Sequence, residues 1–331
     1  MESFKDKRYV IFGNPSEYYI QAYKDASDTD FCQYLPYPID TKNRLLLGLY
    51  RLNYSKKINS IIPLPKLPIW RKKAFINHWN SPPDYLIFFN SSVFENYIIN
   101  GTLDLLKQTY PDAKTIVFCQ DLLSANARKI NIAHIKKKVD LVLSFDQGDA
   151  EKYDLVYYPL VYSNISNTEQ QIAYDLSFIG GAKNRLNEII EVWEYCTSNG
   201  IKCDFHIVGV SKDKQIHKGM IHYRRSVPYS EYITRLKRTN CVLEIMQKNG
   251  RGSTIRLCES VFFNKKLLTN NADVQNHKVF DYGFIKQFNR VSEIDIDFIK
   301  ERTVVDYSTI KDLFSPLRLL EYINNYFSVS E

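Results

Sequence analysis

Short apolar segments typical of buried strands alternate with amphipathic helical segments along the whole chain. This alternation constrains the fold more than any other feature. The predicted strands are Tyr9–Gly13, Asp84–Phe89, Thr115–Gln120, Asp140–Phe145, Leu155–Tyr158, Asp175–Ile179, Cys203–Val208, Cys241–Ile245 and Lys266–Thr269. The clearest predicted helices are Leu103–Tyr110, Ser124–Lys138, Asn184–Ser198, Ser230–Lys237, Thr254–Phe263 and Leu317–Tyr326. The pattern predicts an α/β protein with two doubly wound parallel sheets.

Chain length favours two domains over one, because 331 residues exceed what a single core usually supports. Periodicity is lost between residues 159 and 174, where Ser, Asn, Thr and Gln accumulate as in an interdomain linker. We place the boundary near residue 168, which gives domains of residues 1–167 and 168–331. The last predicted helix is free to fold back onto the first domain.

The chain lacks an apolar window of roughly 18 residues, and its Met1 start runs into a strand without a secretory apolar region. Its six cysteines show no CxxC or CxxH spacing, which favours reduced, buried thiols. We therefore expect a cytoplasmic protein.

A net charge of +7 suits anionic partners such as nucleotide diphosphates, lipid-linked phosphates or an anionic membrane leaflet. Local clusters occur at Arg71–Lys73, Lys136–Lys138 and Arg224–Arg225. Each cluster is also compatible with an ordinary solvated surface. Nucleic acid is not an expected partner, because no helix-turn-helix, zinc-finger or RNP-type signature accompanies the basic residues.

Ligands of open parallel sheets bind outside the carboxyl ends of the strands, so the residues after each strand are the candidates for a site. One predicted strand breaks at Gly180 and Gly181 and leads into a helix that carries Lys183 and Arg185. Glycines permit close backbone approach, and a helix start with cations attracts a diphosphate. An ordinary strand-to-helix turn is equally compatible. Neither a GxGxxG nor a Walker A sequence occurs, which disfavours nicotinamide dehydrogenases and P-loop proteins.

A second strand end is more specific. It comprises the strand residue Glu244, the loop residues Gly250, Arg251 and Gly252, the cap candidates Ser253 and Thr254, and the helix residues Arg256 and Glu259. We expect free amides at the helix start to form an anion cradle with Arg251. Glu259 is a candidate acceptor of hydrogen bonds from ribose hydroxyls. The alternative is a local ion pair between Arg256 and Glu259, worth about 0.2–0.5 kcal/mol.

The segments DLSFIGGAKNRLNEII, DFHIVG and LEIMQKNGRGSTIRLCESVFFNKKLLTNN resemble the nucleotide-binding half of bacterial GT-B glycosyltransferases that build capsule, O-antigen and exopolysaccharide. The segment DLVLSFDQGDAEKYDLVYYPLVY resembles the end of their acceptor-side domain. The resemblance covers roughly residues 140–271. It implies two Rossmann-like domains facing a central cleft, with residues 1–167 on the acceptor side and residues 168–331 holding a UDP-, GDP-, TDP- or CMP-sugar.

Retaining members of this family often carry two glutamates eight positions apart, whereas this chain has Arg251 before Glu259. The departure favours inversion, which needs a general base from the first domain to deprotonate the acceptor hydroxyl. Asp121 is the preferred candidate and His78 the second, although Asp121 is equally suited to cap a helix. Gly13 and Asn14 after the first strand are predicted to lie near the donor phosphates or the acceptor, or to form a simple turn.

The stretch from Ile61 to Lys73 combines prolines, apolar residues, a tryptophan and cations, which suits contact with an anionic inner membrane that carries a lipid-linked acceptor. A proline-rich loop packed on the sheet is the alternative. We predict no bound metal or cofactor, since the two DxD strings, at 28–30 and 295–297, do not follow long apolar strands. A nucleotide-sugar epimerase or hydrolase and a non-catalytic partner subunit remain open as alternative functions.

Overall fold

The computed structural model describes residues 3–36, 39, 41, 43–59, 61–62, 64–65, 67–73, 79–89, 101–123, 131–165, 170–248 and 250–329. The chain divides into two compact units. Unit 1 comprises Met1–Tyr158 and Pro316–Glu331, and unit 2 comprises Pro159–Ser315.

Unit 1 is built on an all-parallel sheet of six strands. Its strands are β1 (Tyr9–Phe12), β2 (Cys32–Leu35), β3 (Tyr85–Phe89), β4 (Lys114–Cys119), β5 (Leu141–Ser144) and β6 (Val156–Tyr157). Its described α-helices are α1 (Glu17–Ala22), α2 (Lys24–Ser27), α3 (Arg44–Asn53), α4 (Lys56–Asn59), α5 (Ile69–Lys72), α6 (Thr102–Thr109), α7 (Ile132–Lys136) and α8 (Gln147–Tyr153), and the C-terminal helix Pro316–Ser328 completes the unit. The spatial order of the strands is β2-β1-β3-β4-β5-β6.

Unit 2 repeats this architecture with a second all-parallel sheet of six strands in the order β12-β11-β10-β7-β8-β9. The strands are β7 (Tyr174–Gly181), β8 (Cys203–Val208), β9 (His222–Arg224), β10 (Thr239–Glu244), β11 (Lys266–Thr269) and β12 (Ile285–Gln287). The described α-helices of unit 2 are α9 (Leu186–Ser198), α10 (Tyr229–Lys237), α11 (Ile255–Phe262) and α12 (Ile296–Lys300). The C-terminal helix of the chain is α13 (Pro316–Ser328).

The cores follow from the sequence, because the central strands are apolar on both faces, as parallel strands covered by helices must be. All four residues of β1 and all five of β3 are buried. In unit 2, Ile189, Val192, Trp193 and Cys196 face the sheet from α9, at the three- and four-residue spacing of a helix face. The predicted fold class, with two Rossmann-like domains of the kind that make up GT-B proteins, is confirmed.

The sequence prediction misses three strands, β2, β9 and β12. Each of them lies at the edge of its sheet. Edge strands are half exposed, so they lack the continuous apolar run that marks central strands. The burial of β9 shows this, since His222 and Arg224 are exposed and Tyr223 is only half buried.

The predicted boundary near residue 168 lies beyond the start of unit 2 at Pro159. The polar linker composition begins only after a short apolar run that belongs to the core of unit 2. The amide of Tyr162 donates to the carbonyl of Phe314 at 2.7 Å, and its ring lies 5.1 Å from that of Phe262. Leu160 and Val161 are also buried, so this run is part of a packed domain.

Helix α13 belongs to unit 1. The hydroxyl of Tyr85 in β3 donates to the side-chain oxygen of the buried Asn324 at 3.1 Å, and the hydroxyl of Tyr9 donates to the carbonyl of Leu320 at 3.4 Å. All six cysteines are free thiols; five are buried and Cys203 is half buried. Within the described residues, no helix is both long enough and apolar enough to cross a bilayer.

Candidate functional site

The topology of unit 2 identifies a switch point between β7 and β10. From β7 the chain adds β8 and β9 on one side of the sheet and then returns to add β10, β11 and β12 on the other. Helices that leave two neighbouring strands in opposite directions open a crevice at the carboxyl ends of those strands. The two strand ends selected from the sequence are the ones that flank this crevice.

The glycine pair ends β7. The predicted strand stops at Ile179, whereas β7 continues through Gly180 and Gly181, which pair with Ile207 and Val208 of β8. A Cβ at residue 180 would lie 3.3 Å from the guanidinium of Arg256, so glycine there permits the arginine to approach the strand. Gly181 has only the Lys183 side chain within reach, at 3.7 Å from an added Cβ.

Two cations come after β7. The helix begins at Leu186, so Lys183 lies in the preceding turn and not on the helix as predicted, and Arg185 occupies the N-cap position. Lys183 is exposed, with a positive φ of 47°. The guanidinium of Arg185 donates to the carbonyl of Ile245 and, at 3.3 Å, to that of Gly181. Arg185 therefore links the carboxyl ends of β7 and β10.

Arg185 stays protonated at neutral pH, although burial and the neighbouring Arg256 lower its pKa to about 10. Its Nε is buried and has no hydrogen-bond partner among the described residues. An unpaired donor on a buried cation is costly, and an anionic ligand in the crevice is one way to satisfy it.

Arg256 lies in a buried cluster on the first turn of α11. Its guanidinium stacks 4.7 Å from the ring centre of Tyr232 and donates to the Tyr232 hydroxyl at 2.7 Å. It also donates to the carboxylate of Glu259 and to the carbonyl of Ile179. Although burial lowers the pKa of Arg256, Tyr232 and Glu259 raise it more, so the side chain remains charged.

Glu259 has no exposed surface, and Arg256 and the Tyr232 hydroxyl both bond to its Oε2. The local ion pair, which the sequence left open as the alternative to ribose binding, is the arrangement in the structure. The pair is buried, so the small value typical of exposed pairs does not apply to it. Burial raises the pKa of Glu259, and Oε1 lacks a partner among the described residues.

Glu244 at the end of β10 is also buried, with 3% of its surface exposed. It accepts hydrogen bonds from the hydroxyls of Thr254 and Thr269, and burial raises its pKa. Thr254 in turn is the N-cap of α11, since its hydroxyl oxygen accepts from the amides of Arg256 at 3.1 Å and Leu257 at 3.5 Å. Two amides expected to be free for an anion are thus occupied by the cap.

The loop before α11 is held from two sides. Gly252 has a φ of 117°, which favours glycine, and its carbonyl accepts from the side-chain amide of Asn271 at 3.0 Å. Arg251 is half exposed and its Nε lies 3.1 Å from the carboxylate of Asp273, an ion pair that the sequence did not indicate. Ser253 is buried, whereas Gly250 is half buried.

Unit 1 has its own switch point, between β1 and β3. Gly13 comes directly after β1, and a Cβ there would overlap the ring of Tyr34. The Tyr34 hydroxyl accepts from the amide of Asn14 and donates to its carbonyl, both at 2.8 Å. The turn that was left open as an alternative for these two residues is therefore present and is closed by Tyr34.

Asp121 is exposed just beyond the end of β4, and its charge raises the pKa of the largely buried Tyr19 after the larger effect of burial. The predicted helix that Asp121 was suited to cap begins at Ser124, and residues 124–130 lie outside the described residues. His78, the second candidate base, also lies outside them.

One cluster that could ligate a metal was missed from the sequence. Asp204, His206 and His222 bring their ligand atoms within 4.8 Å of one another on β8 and β9. His206 is buried mid-strand, and its ring stacks on that of His222 at 4.6 Å. The guanidinium of Arg235 lies 3.2 Å from Asp204, and burial and His206 lower the pKa of His222. The guanidinium of Arg235 disfavours a second cation at this cluster.

No protein-family model matches the sequence, and no curated protein matches it. Solved structures do resemble its fold. A UDP-GlcNAc 2-epimerase of Methanocaldococcus jannaschii is 11% identical, with coverage of 98% of this chain and 99% of that one and a TM-score of 0.48. The glycosyltransferase of kitacinnamycin is 8% identical, with 96% and 98% covered and a TM-score of 0.44.

A third structure, UDP-N-acetylglucosamine 2-epimerase from Rickettsia bellii, is 12% identical, with 96% and 95% covered and a TM-score of 0.45. These similarities concern the fold. They assign neither the activity of a glycosyltransferase nor that of an epimerase to this chain.

Proposed function

We propose that the chain is a glycosyltransferase that binds the diphosphate of a nucleotide sugar at the switch point of unit 2. One observation carries the proposal. Both strands that flank the switch point are followed by cations, Lys183 and Arg185 after β7 and Arg251 and Arg256 after β10. Arginine and lysine at the carboxyl edge of a Rossmann-like sheet suit a phosphate ligand.

The carboxylates nearest to these cations are Asp273, which pairs with Arg251, and the buried Glu244 and Glu259. Glu244 and Glu259 are both buried, and burial raises the pKa of each, which disfavours their charged forms. Lys183 and Arg251 are exposed, whereas Arg185 is half buried. Four cations at this edge stand against three carboxylates, two of them buried, so the edge keeps a net positive charge.

The acceptor side of the proposal is unit 1. The surroundings of its switch point are aromatic, with the Phe89 ring 4.1 Å from Tyr23 and 6.0 Å from Tyr34. Phe89 and Tyr23 are buried and pack this edge, and the exposed Asp121 beyond β4 supplies a carboxylate able to take a proton from an acceptor hydroxyl. We infer an inverting transfer from a UDP-, GDP-, TDP- or CMP-sugar to a saccharide or lipid-linked acceptor of a bacterial surface polysaccharide, such as capsule or lipopolysaccharide.

Nucleotide binding tests the donor site directly. The purified chain is titrated calorimetrically with UDP, GDP, TDP, CMP and their common sugar conjugates. We expect one nucleotide family to bind, and Lys183→Ala and Arg251→Ala each to weaken it about 10-fold, since a charge-assisted contact is worth roughly 1.5 kcal/mol. Lys202→Ala is the matched control, because Lys202 is an exposed cation at the opposite, amino end of β8. Equal affinity of all three variants would contradict the site.

Turnover then distinguishes the functions. The bound nucleotide sugar is incubated with saccharide and lipid-linked acceptors, and products are analysed by mass spectrometry. A glycosylated acceptor supports transfer. Free or epimerised sugar without acceptor would favour a hydrolase or epimerase, and tight binding without any product would favour a non-catalytic partner subunit. No binding at millimolar concentration would overturn the proposal.

A further inference from the structure

Helix α3 presents a row of leucines to solvent. Leu45, Leu49 and Leu52 are 80%, 58% and 51% exposed, and their spacing of four and three residues places them on one helix face. The opposite face is the one that packs, where Tyr50 contacts the buried Trp70. The exposed leucines are therefore a surface feature and not a part of the core.

The segment after α3 also exposes apolar side chains. Ile61, Ile62, Leu67 and Ile69 are exposed by 75%, 62%, 44% and 42%. Asn53 at the end of α3 holds the segment, because its side chain accepts from the Trp70 indole at 2.9 Å and donates to the Pro65 carbonyl at 2.8 Å. Seven of the fifteen exposed large apolar residues of the described chain lie here, so the concentration is specific to this face.

The charge of the same stretch is one-sided. Between Asp40 and Asp84 the sequence contains no acidic residue and nine basic ones. They are Lys42, Arg44, Arg51, Lys56, Lys57, Lys66, Arg71, Lys72 and Lys73. The rest of the chain contains the remaining 35 of the 44 basic residues and all 37 acidic residues, so its net charge is −2. The positive charge of the protein is carried by residues 41–83.

We propose that the exposed side chains of α3 and of the described residues 61–62, 67–69 and 72–73, together called the basic apolar face, dock on an anionic lipid surface. Exposed leucines and isoleucines flanked by lysines and arginines can insert into the interface while the cations bind lipid phosphates. A second copy of the chain is a poor occupant, because two faces without acidic residues repel each other. The docking does not depend on the nucleotide site.

Vesicle binding without nucleotide tests the proposal. We expect the purified chain to float with vesicles that contain phosphatidylglycerol and to bind phosphatidylcholine vesicles far more weakly. The variant Leu45→Ser/Leu49→Ser/Leu52→Ser is expected to weaken binding about 100-fold, through the lost burial of three leucines. The control Met220→Ser/Val304→Ser removes two apolar side chains that are 60% and 87% exposed in unit 2 and leaves binding unchanged.

A charge pair of variants separates the electrostatic contribution. Lys72→Gln/Lys73→Gln is expected to weaken binding to anionic vesicles about 30-fold at low salt, at roughly 1 kcal/mol per cation. The control Lys212→Gln/Lys214→Gln removes two exposed lysines of unit 2 and leaves binding unchanged. Equal effects of both pairs would show a non-specific charge effect and overturn the proposal.

Insertion is measured with Leu49→Trp, whose emission is expected to shift to shorter wavelength and to be quenched by brominated lipid. Quenching absent in the bound protein would overturn docking through this face. The proposal would also be overturned if the wild-type chain were a dimer without vesicles and the leucine variant a monomer. A second copy of the chain would then cover this face.

Discussion

Both units are six-stranded parallel sheets with a switch point beside their first strand, but they differ in the residues that come directly after that strand. In unit 1, β1 leads into Gly13 and Asn14, and the Tyr34 hydroxyl binds the backbone groups of Asn14. In unit 2, β7 leads into Lys183 and Arg185, and the guanidinium of Arg185 binds carbonyls at the ends of two strands. One switch point is therefore aromatic and the other cationic.

This difference teaches that topology locates a crevice, whereas the residues just after the strands decide its chemistry. At the unit 1 edge buried aromatic rings pack against one another, whereas a cationic edge suits phosphates. The proposed division of roles between acceptor and donor sides depends on this contrast, so variants that act on one edge and not on the other can break it.

Asp121→Asn tests the aromatic edge with the largest expected effect. If Asp121 is the general base, the amide cannot take the acceptor proton, and transfer slows by about 10²- to 10⁴-fold while nucleotide affinity is unchanged. Steady-state rates and calorimetry measure the two quantities. Asp112→Asn is the control, because Asp112 is an exposed carboxylate before β4, at its amino end. A rate within a few-fold of wild type would move the assignment to His78.

Arg256→Met tests the cationic edge through its buried ion pair. The substitution leaves Glu259 buried without its cation, and we expect the free energy of unfolding to fall by about 3–5 kcal/mol, measured by urea denaturation. Adding Glu259→Gln should recover part of the loss, since the amide keeps a partner in Tyr232.

Arg290→Met is the comparison, because Arg290 and Glu293 have the same three-residue spacing but the arginine side chain is 83% exposed. That change should cost no more than about 0.5 kcal/mol. Equal losses for the two arginines would show that burial of the Arg256 pair does not matter.

Gly13→Ala tests the closure of the aromatic edge. The added methyl group would overlap the Tyr34 ring, whose hydroxyl is tied to Asn14, so we expect a loss of about 1–3 kcal/mol in unfolding free energy. Gly48→Ala on α3 is the matched change, with no atom within 4 Å of the new Cβ, and should stabilise by about 0.5–1 kcal/mol. Changes of the same sign would contradict the packing at Tyr34.

Much of this architecture could be predicted from the sequence because central parallel strands are continuous apolar runs. The strand predicted at Cys203–Val208 matches β8 residue for residue, and Lys266–Thr269 matches β11. Three of the four edge strands, β2, β9 and β12, could not be found in this way. The run from Leu160 to Tyr162 was assigned to a linker because its burial depends on Phe262 and Phe314, which lie far along the chain.

The sequence located the strand ends where the candidate residues lie, but not the partners of those residues. Strand ends and glycines are local signals, so Gly180, Arg185 and Thr254 could be chosen as candidates from the sequence. Asp273 pairs with Arg251 across 22 residues, and Tyr232 donates to Glu259 across 27, and neither partner has a local signature. The basic apolar face did have one, the four- and three-residue spacing of Leu45, Leu49 and Leu52 in a stretch without acidic residues.

The smallest expected effect concerns Glu244, which is buried at the end of β10. Burial raises its pKa above the ordinary 4.5, so the folded state keeps a proton that the unfolded state releases. The free energy of unfolding contributed by this group therefore falls as pH rises from about 4.5 through the folded-state pKa. Glu244→Gln should flatten that fall between pH 5 and pH 8, leaving the part that Glu259 contributes with the same sign. Glu293→Gln, at a carboxylate that is 45% exposed, should leave the pH dependence of wild type intact. The contrary outcome is that the unfolding free energies of Glu244→Gln and wild type change with pH in parallel. Glu244 would then be as ionised in the folded state as in the unfolded state. Its negative charge would in that case offset part of the positive charge that we assign to binding of the donor diphosphate.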